Sequence, residues 1–205
     1  MEYLDIYDEN ENYLGKEKRS IVHQNALWHK TVHCWLYDKK GNVYFQLRKD
    51  EGTLYTTASG HVDAGETIKE AFGREVLEEI GVNVDYESAN LVEINKFVMD
   101  KLKEDGTYFK DRAFANVYVC EYKGSSEDFN LNLDELKGIV KVNVNDALDL
   151  FNHKKDVING VLLRVVENQN VLEKKDFKIQ DFLVNSGETA IGKYGNVLRK
   201  IIELI

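Results

Sequence analysis

Strand-like runs of hydrophobic residues occur over several stretches of the first three quarters of the chain, and in Val43 to Arg48 hydrophobic and polar residues alternate. The stretches are 28–37, 43–48, 90–99, 112–122 and Ile139 to Val144. Turn-forming residues occupy Asp38 to Asn42, and Asp105-Gly106 lies between the third and fourth stretches. We therefore expect a hairpin from the first two stretches and a turn between the next two.

A helical period replaces this alternation at residues 66–81. Thr67 and Glu70 have the T-x-x-E spacing of a capping box, which starts the helix at Thr67. Gly81 stands where a left-handed C-terminal cap is needed. One helix face is apolar, through Ile68, Phe72, Val76 and Ile80. The spacing predicts a helix whose apolar face packs on the core.

The last third of the chain has a helical pattern. We expect helices around Asp146–His153, over Val157–Glu167 and over Asn196–Ile205. The last segment has an apolar stripe formed by Val197, Leu198, Ile201, Ile202 and Ile205. The order of elements predicts an α+β domain over residues 1–155 and a helical C-terminal extension over 156–205 that packs on it.

Composition restricts the protein class. The chain has 205 residues, of which 43% are hydrophobic, 31% charged and 11% aromatic, so it is too apolar to be disordered. Its net charge of −9 disfavours nucleic acids and anionic membranes as partners. The first residues lack a signal-peptide pattern, and no apolar run approaches the ~18 residues that span a bilayer. We expect a cytoplasmic protein in which Cys34 and Cys120 are buried thiols.

Three glutamates share one side of the predicted helix. Glu75, Glu78 and Glu79 stand at i, i+3 and i+4, where like charges destabilise a helix. They lie near its C-terminal end, where the helix dipole also disfavours anions. They form either a solvated acidic face relieved by Arg74, or a group whose repulsion is offset by a divalent cation such as Mg²⁺.

The segment around these glutamates resembles the Nudix box, G-x5-E-x7-R-E-U-x-E-E-x-G-U, where U is aliphatic. Every defined position matches: Gly60, Glu66, Arg74, Glu75, Val76, Glu78, Glu79, Gly81 and Val82. The resemblance implies an α/β/α sandwich around a mixed β-sheet. It also implies an enzyme that hydrolyses a diphosphate linked to another moiety, often a nucleoside. The expected substrate is therefore a small, nucleotide-related diphosphate.

The same resemblance implies roles for individual residues. Glu75, Glu78 and Glu79 would bind Mg²⁺ or Mn²⁺, together with the Gly60 carbonyl. Arg74 would orient the carboxylates and Glu66 would pair with it. The general base is either a helix glutamate or Glu135, whose alternative role is that of an ordinary exposed loop acid. The catalytic candidates are Glu75, Glu78, Arg74 and Glu135.

Residues 3–150 also look like the isopentenyl-diphosphate isomerase branch of Nudix proteins. His23, His29 and His61 fall where the true isomerases have metal-binding histidines. The isomerase cysteine is replaced by Ser59, and the E-x-E segment by Lys110-Asp111-Arg112. A hydroxyl is a poor substitute for a thiolate, so we expect a hydrolase. A Nudix-fold binding module that has lost turnover is the main alternative.

Several cations and aromatic residues are candidates for substrate binding. Arg48, Lys110 and Arg112 could contact an anionic substrate, with surface charges as the alternative, and His61 could contact it as well. Aromatic residues that could stack on a base or belong to the core are Trp28, Trp35, Tyr55 and Phe114. Dimers are common in the family, so a homodimer is compatible with the resemblance.

Overall fold

A computed structural model describes residues 2–50, 52–102, 106, 108–167, 169–182 and 188–205. The strands are β1 (Tyr3–Tyr7), β2 (Tyr13–Lys18), β3 (His29–Asp38), β4 (Asn42–Arg48), β5 (Leu54–Tyr55), β6 (Ala58–His61), β7 (Asn90–Leu102), β8 (Tyr108–Glu121), β9 (Leu136–Asn143), β10 (Ile158–Val166) and β11 (Gln169–Phe177). The helices are α1 (Arg19–Asn25), α2 (Ile68–Ile80), α3 (Val144–Phe151) and α4 (Glu188–Leu204). The elements mix in sequence, as expected for an α+β domain.

One mixed β-sheet forms the centre of the fold. Its strand order is β11-β10-β9-β4-β3-β8-β7, with β5 paired to β4 and β6 to β3. Strands β3 and β8 run parallel, whereas β7 and β8 form a long antiparallel hairpin. Strands β1 and β2 form a separate two-stranded sheet.

The hairpin of β3 and β4 opens soon after its turn. The two strands pair at Tyr37–Val43 and Asp38–Asn42, after which β3 pairs with β6 and β4 with β5. Two buried threonines lie in the opening. The Thr56 hydroxyl donates to the Cys34 carbonyl at 2.6 Å, and the Thr57 hydroxyl donates to the Tyr44 carbonyl at 2.5 Å. Strands β5 and β6 therefore lie between the diverging ends of β3 and β4 at the centre of the sheet.

Helices cover both faces of the sheet, which confirms the expected α/β/α sandwich. Helix α2 packs on one face through Phe72, Val76 and Ile80, each fully buried. The second core contains Phe151 of α3 together with buried side chains of α4, which are Tyr194, Val197, Leu198 and Ile201. The apolar stripe near the end of the chain thus belongs largely to the core.

Helix α2 begins and ends as its sequence predicts. Thr67 is the N-cap, and its side chain and that of Glu70 form a reciprocal capping box. Gly81 adopts a left-handed φ of 71°, and a Cβ there would lie 2.6 Å from the Asn130 carbonyl oxygen. Glycine is required at this position for both reasons.

The helix predicted over 157–167 is wrong. Residues 158–166 form β10, which pairs with β9 on one side and β11 on the other. Ile158, Leu162 and Leu163 are buried, so apolar residues occur on both faces of the strand. A strand covered on both faces loses simple alternation, and its apolar run then resembles a buried helix.

Other expectations concern turns, thiols and membrane spans. Cys34 and Cys120 are buried free thiols. Of the turn predicted at Asp105-Gly106, Asp105 lies outside the described residues, whereas Gly106 has a positive φ of 81°. Within the described ranges, no helix is both long and apolar enough to cross a bilayer.

Candidate active site

A cavity of about 640 Å³ lies where β3 and β4 diverge. It extends from β6 and the C-terminal end of α2, at Glu79, to the hairpin of β7 and β8. Its lining residues are Arg19, His23, Thr31, His33, Gln46, Arg48, Lys49, Asp50, Tyr55, Ser59, Gly60, His61, Glu79, Phe97, Met99, Phe109, Asp111, Ala113, Asp134 and Glu135. Acidic, basic and aromatic groups thus share one cavity.

Arg74 organises the acidic side of the site. It donates two hydrogen bonds to Glu66, both at 2.9 Å, in the bidentate geometry that fixes a guanidinium on a carboxylate. It also donates to Glu75 at 2.7 Å, to Glu78 at 3.2 Å and to the His61 carbonyl at 2.9 Å. The carboxylates beside it raise the pKa of Arg74. Arg74 therefore joins the loop before α2 to two glutamates on the helix.

Glu75 lies directly against the backbone of Gly60. A Cβ at residue 60 would overlap the Glu75 carboxylate, so this approach requires glycine. Burial raises the pKa of Glu75 from 4.5 to about 7, against the opposing effect of Arg74. The carboxyl group is held close to the Gly60 backbone in an environment that disfavours its charge.

Glu79 is the most buried carboxylate of the cluster, with 4% of the residue exposed. Its Oε2 accepts a hydrogen bond from the Gln46 amide at 3.2 Å and one from the Ser59 N–H at 3.3 Å. Burial raises its pKa well above the ordinary value, and the charges of Glu75 and Glu135 add to this effect. The sequence pattern did not identify Gln46, because its partner lies 33 residues away.

Glu78 and Glu135 occupy more open positions. The Glu78 side chain is about half exposed, at 56%, and contacts Arg74. Glu135 lines the cavity from the loop before β9, and that loop is joined to the end of β4 by the Lys49 N–H, which donates to the Glu135 carbonyl at 2.8 Å. The proximity of Glu135 raises the pKa of both Glu75 and Glu79. A fourth carboxylate from a distant segment therefore joins the three on the helix.

The donor set fits a divalent cation. Arg74 is shared among Glu66, Glu75 and Glu78, whereas Glu79 is oriented by two uncharged donors. Burial raises the pKa of Glu75 and of Glu79, and neighbouring carboxylates add to the effect, so a bound cation would relieve the repulsion between them. Carboxylate and carbonyl oxygens are the ligands that Mg²⁺ prefers.

Three histidines form a second cluster in the same cavity. Potential ligand atoms of His23, His29 and His61 all lie within 4.8 Å of one another. His23 Nε2 and His61 Nε2 are 3.2 Å apart, and Asp111 Oδ1 lies 3.4 Å from His29 Nε2. Burial lowers the pKa of His29 and lowers that of His61 to about 2, which favours the neutral form that binds metals. His29 Nε2 and Asp111 Oδ1 are buried with no hydrogen-bond partner among the described residues, so this group could also hold a cation.

The Asp111 side chain lines the cavity, whereas the neighbouring Lys110 and Arg112 do not. Alternate residues of β8, namely Phe109, Asp111 and Ala113, line the cavity. Arg112 points away and pairs with Asp100 at 2.9 Å, and Lys110 contacts His23 through its backbone carbonyl. The geometry therefore gives no support to Lys110 and Arg112 as substrate-binding residues, because successive side chains of a strand face opposite sides.

Of the other residues predicted to contact a substrate, some line the cavity and others do not. Arg48, Tyr55 and His61 line the cavity, and the Arg48 guanidinium lies 5.9 Å from the Tyr55 ring. Trp35 belongs to the buried core, while Trp28 stacks on Phe114 at 4.8 Å away from the cavity lining. The sequence pattern did not identify Phe97, Met99 and Phe109 as cavity residues, although they alternate along β7 and β8 and share one face.

The N-terminal segment also contributes to the site, where the resemblance had indicated His23 but not Arg19. Arg19 and His23 of α1 line the cavity. The Tyr3 carbonyl accepts from the Ala64 N–H at 2.8 Å, and the Asp5 carboxylate accepts from the Gly65 N–H at 3.0 Å. The first hairpin thereby supports the loop between β6 and α2.

Comparisons with known proteins agree with the motif and the fold. The NUDIX domain model matches residues 27–160. An uncharacterized Nudix hydrolase of Clostridium acetobutylicum is 31% identical, over 98% of this chain and 98% of its own length. An isopentenyl-diphosphate Delta-isomerase of Photorhabdus laumondii is 24% identical, over 81% of this chain and 96% of its own.

The fold has a counterpart among solved structures. A crystal structure from Deinococcus radiodurans superimposes with a TM-score of 0.53 at 20% identity, over 75% of this chain and 90% of that one. The family match covers more than half of the chain and includes the loop, the helix and the glutamates described above. The chain therefore belongs to the Nudix hydrolase family.

Proposed function

We propose that this protein is a divalent-metal-dependent hydrolase that cleaves a phosphoanhydride bond in a small, nucleotide-related diphosphate. The observation that carries the proposal is the convergence of Glu75, Glu79 and Gly60 at one side of a 640 Å³ cavity. Arg74 holds Glu75 and Glu78 in the same cluster. These are hard oxygen donors beside a space large enough for a nucleotide-sized ligand.

The chain's own residues supply the metal ligands. Glu75, Glu78 and Glu79 would hold Mg²⁺ or Mn²⁺ through their carboxylates, with the Gly60 carbonyl as a further oxygen. The bound cation would neutralise phosphate charge and lower the pKa of a bound water. Arg74 and Glu66 keep the helix and the preceding loop in register, so that the donors are positioned before the substrate binds.

Two carboxylate positions are suited to remove a proton from the attacking water. Glu135 faces the cavity beside Glu79 and lies outside the Arg74 network. A helix glutamate is the alternative base. Arg48 and Lys49 line the same cavity and provide positive charge for phosphate oxygens, whereas Tyr55, Phe97 and Phe109 offer aromatic surface for the organic moiety.

The isomerase reaction is disfavoured by the residue that faces the cavity before Gly60. Ser59 lies there, and its hydroxyl does not ionise near neutral pH, so it cannot exchange a proton as a cysteine does between its thiol and thiolate forms. Cys34 is buried in β3, and burial raises the pKa of its thiol well above the ordinary range. A binding module without turnover is disfavoured because the acidic cluster would remain uncompensated.

A substrate panel assayed with Mg²⁺ and Mn²⁺ tests the proposal. It contains nucleoside di- and triphosphates, nucleotide sugars, dinucleoside polyphosphates, coenzyme A and isopentenyl diphosphate, with released phosphate or monophosphate as the readout. We expect metal-dependent hydrolysis of at least one class. Glu78→Gln should reduce it roughly 10²-fold, which is the scale of losing one electrostatic contact to the transition state.

The exposed Glu9 provides a matched control, because Glu9→Gln removes the same charge away from the cavity. It should leave the rate unchanged. Absence of hydrolysis across the whole panel, or an unchanged rate in Glu78→Gln, would refute the proposal. Conversion of isopentenyl diphosphate without phosphate release would instead support the isomerase.

A further inference from the structure

Gln46 carries a polar amide at a buried position of the sheet. The residue is 2% exposed and lies in β4 between Phe45, which is fully buried, and Leu47, which packs against the core. Burying an amide costs free energy unless its hydrogen bonds are satisfied. The free-energy cost of Gln46 at this position therefore depends on the hydrogen bonds that its amide makes.

The Gln46 side chain is directed at Glu79. Its Nε2 donates to Glu79 Oε2 at 3.2 Å, and the Ser59 N–H donates to the same oxygen at 3.3 Å. Both donors converge on Oε2, so neither of them occupies Oε1. The backbone of Gln46 is fixed on both sides, because it is in register with Tyr55 of β5 and Ile139 of β9.

Glu79 is oriented differently from the other two helix glutamates. Arg74 binds Glu75 at 2.7 Å and Glu78 at 3.2 Å, so a cation shares the charge of both. The donors to Glu79 are a side-chain amide and a backbone N–H, neither of which is charged. A neutral donor fixes the direction of a carboxylate without cancelling the charge that attracts a metal ion.

We propose that Gln46 is a positioning residue that holds Glu79 with Oε1 available to a divalent cation. The inference rests on the proposed function, because it assigns Gln46 a role in the same metal site. Gln46 lies on β4, outside the loop and helix that carry the motif. It links the central strand of the sheet to the most buried ligand.

Direct metal binding tests this role without substrate. Mn²⁺ binding to the full chain is measured by calorimetry. The binding that is lost in Glu78→Gln belongs to the glutamate site, and any binding that remains in this variant belongs to the histidine cluster. Gln46→Met keeps the side-chain length and removes the donor, and Gln46→Asn keeps an amide but shortens its reach. We expect each variant to bind Mn²⁺ about 10-fold more weakly, which is typical for a partner that orients a ligand.

Saturating Mn²⁺ should restore the kcat of Gln46→Met to within about 3-fold of the unmodified protein, because the ligand itself is still present. Thr31→Val is the matched control. Thr31 lies in the same cavity, and its buried hydroxyl has no hydrogen-bond partner among the described residues. The Thr31→Val variant should bind Mn²⁺ as tightly as the unmodified protein.

The outcomes separate this inference from the proposed function. If the unmodified protein binds Mn²⁺ and both Gln46 variants bind it equally well, the positioning role is wrong and the hydrolase proposal stands. A lower Tm in EDTA with unchanged Mn²⁺ affinity would show that Gln46 is structural only. If the unmodified protein has no Mn²⁺ site sensitive to Glu78→Gln, both proposals fail.

Discussion

Glu75→Gln should stabilise the metal-free protein while it weakens the metal site. Glu75 is buried beside Gly60, and its pKa is raised from 4.5 to about 7. The folded state therefore retains a proton on this carboxyl over a pH range in which the unfolded chain has lost it. Glutamine has nearly the same shape and is neutral at every pH.

The sign of the pH dependence follows from the raised pKa. Below pH 4.5 the carboxyl is protonated in both states, and its contribution to stability is fully present. That contribution is lost as the pH rises through about 7. The gap between the two pKa values corresponds to about 3 kcal/mol as an upper value, at about 1.4 kcal/mol for each pH unit.

Thermal unfolding in EDTA measures this difference. At pH 8 we expect Glu75→Gln to unfold up to about 6–12 °C above the unmodified protein, since ~1 kcal/mol shifts the Tm of a chain this long by 2–4 °C. At pH 4.5 the two should unfold together. Mn²⁺ should raise the Tm of the unmodified protein much more than that of the variant, because a ligand that binds only the folded state stabilises it.

Glu9→Gln again serves as the control, and its Tm should follow the unmodified protein at both pH values. Two results would refute the reasoning. One is an unmodified protein whose stability in EDTA does not fall between pH 4.5 and pH 8. The other is a variant that shows the same fall, since its residue 75 cannot titrate.

Three further changes test other parts of the structure. Gly60→Ala should weaken Mn²⁺ binding roughly 10-fold or more, because the new Cβ overlaps the Glu75 carboxylate; unchanged affinity in a calorimetric titration would contradict this. Glu135→Gln should lower kcat about 10²-fold at unchanged Mn²⁺ affinity, and an unchanged kcat would assign the base to a helix glutamate. Ending the chain at residue 155 should prevent folding, because it removes Phe182 and Leu198 from the core at a cost above about 5 kcal/mol; a native circular dichroism spectrum and a cooperative transition would refute this.

Local signals in the sequence were enough to predict helix α2. Thr67, Glu70 and Gly81 act within one turn of its ends, and the apolar spacing of the helix needs no knowledge of its neighbours. The motif on this helix also brought Glu66 and Arg74 together, as the structure shows. The capping of α2 and the Glu66–Arg74 ion pair both join residues that are close together in the sequence.

Features that depend on how a strand pairs with its neighbours were predicted less well. A shift of one residue along β8 exchanges Asp111 for Lys110 or Arg112 at the cavity, and the sequence pattern does not fix that register. Strand β10 was predicted as a helix because coverage on both faces removes the alternation that identifies a strand.

Long-range contacts gave no signal in the sequence pattern. Gln46 meets Glu79 only after β4 has paired on both sides, and the N-terminal hairpin reaches the loop at Gly65 from the other end of the domain. Gln46 lies in an alternating stretch, but alternation does not identify the partner of its side chain, and Asp5 lies 60 residues before the Gly65 N–H that it accepts from. Such contacts are properties of the folded sheet.

In the opening between β3 and β4, the side chains that bond the two strands together are different from the side chains that line the cavity. The threonines in the opening bond to backbone groups of both strands, and these hydrogen bonds do not involve the side chains of Arg48, Tyr55 or Phe97. Under the proposed function, substitutions of these cavity side chains would therefore change which leaving group fits while the hydrogen bonds of the two threonines stay in place. A fold arranged in this way can diversify in substrate preference while the acidic helix stays the same.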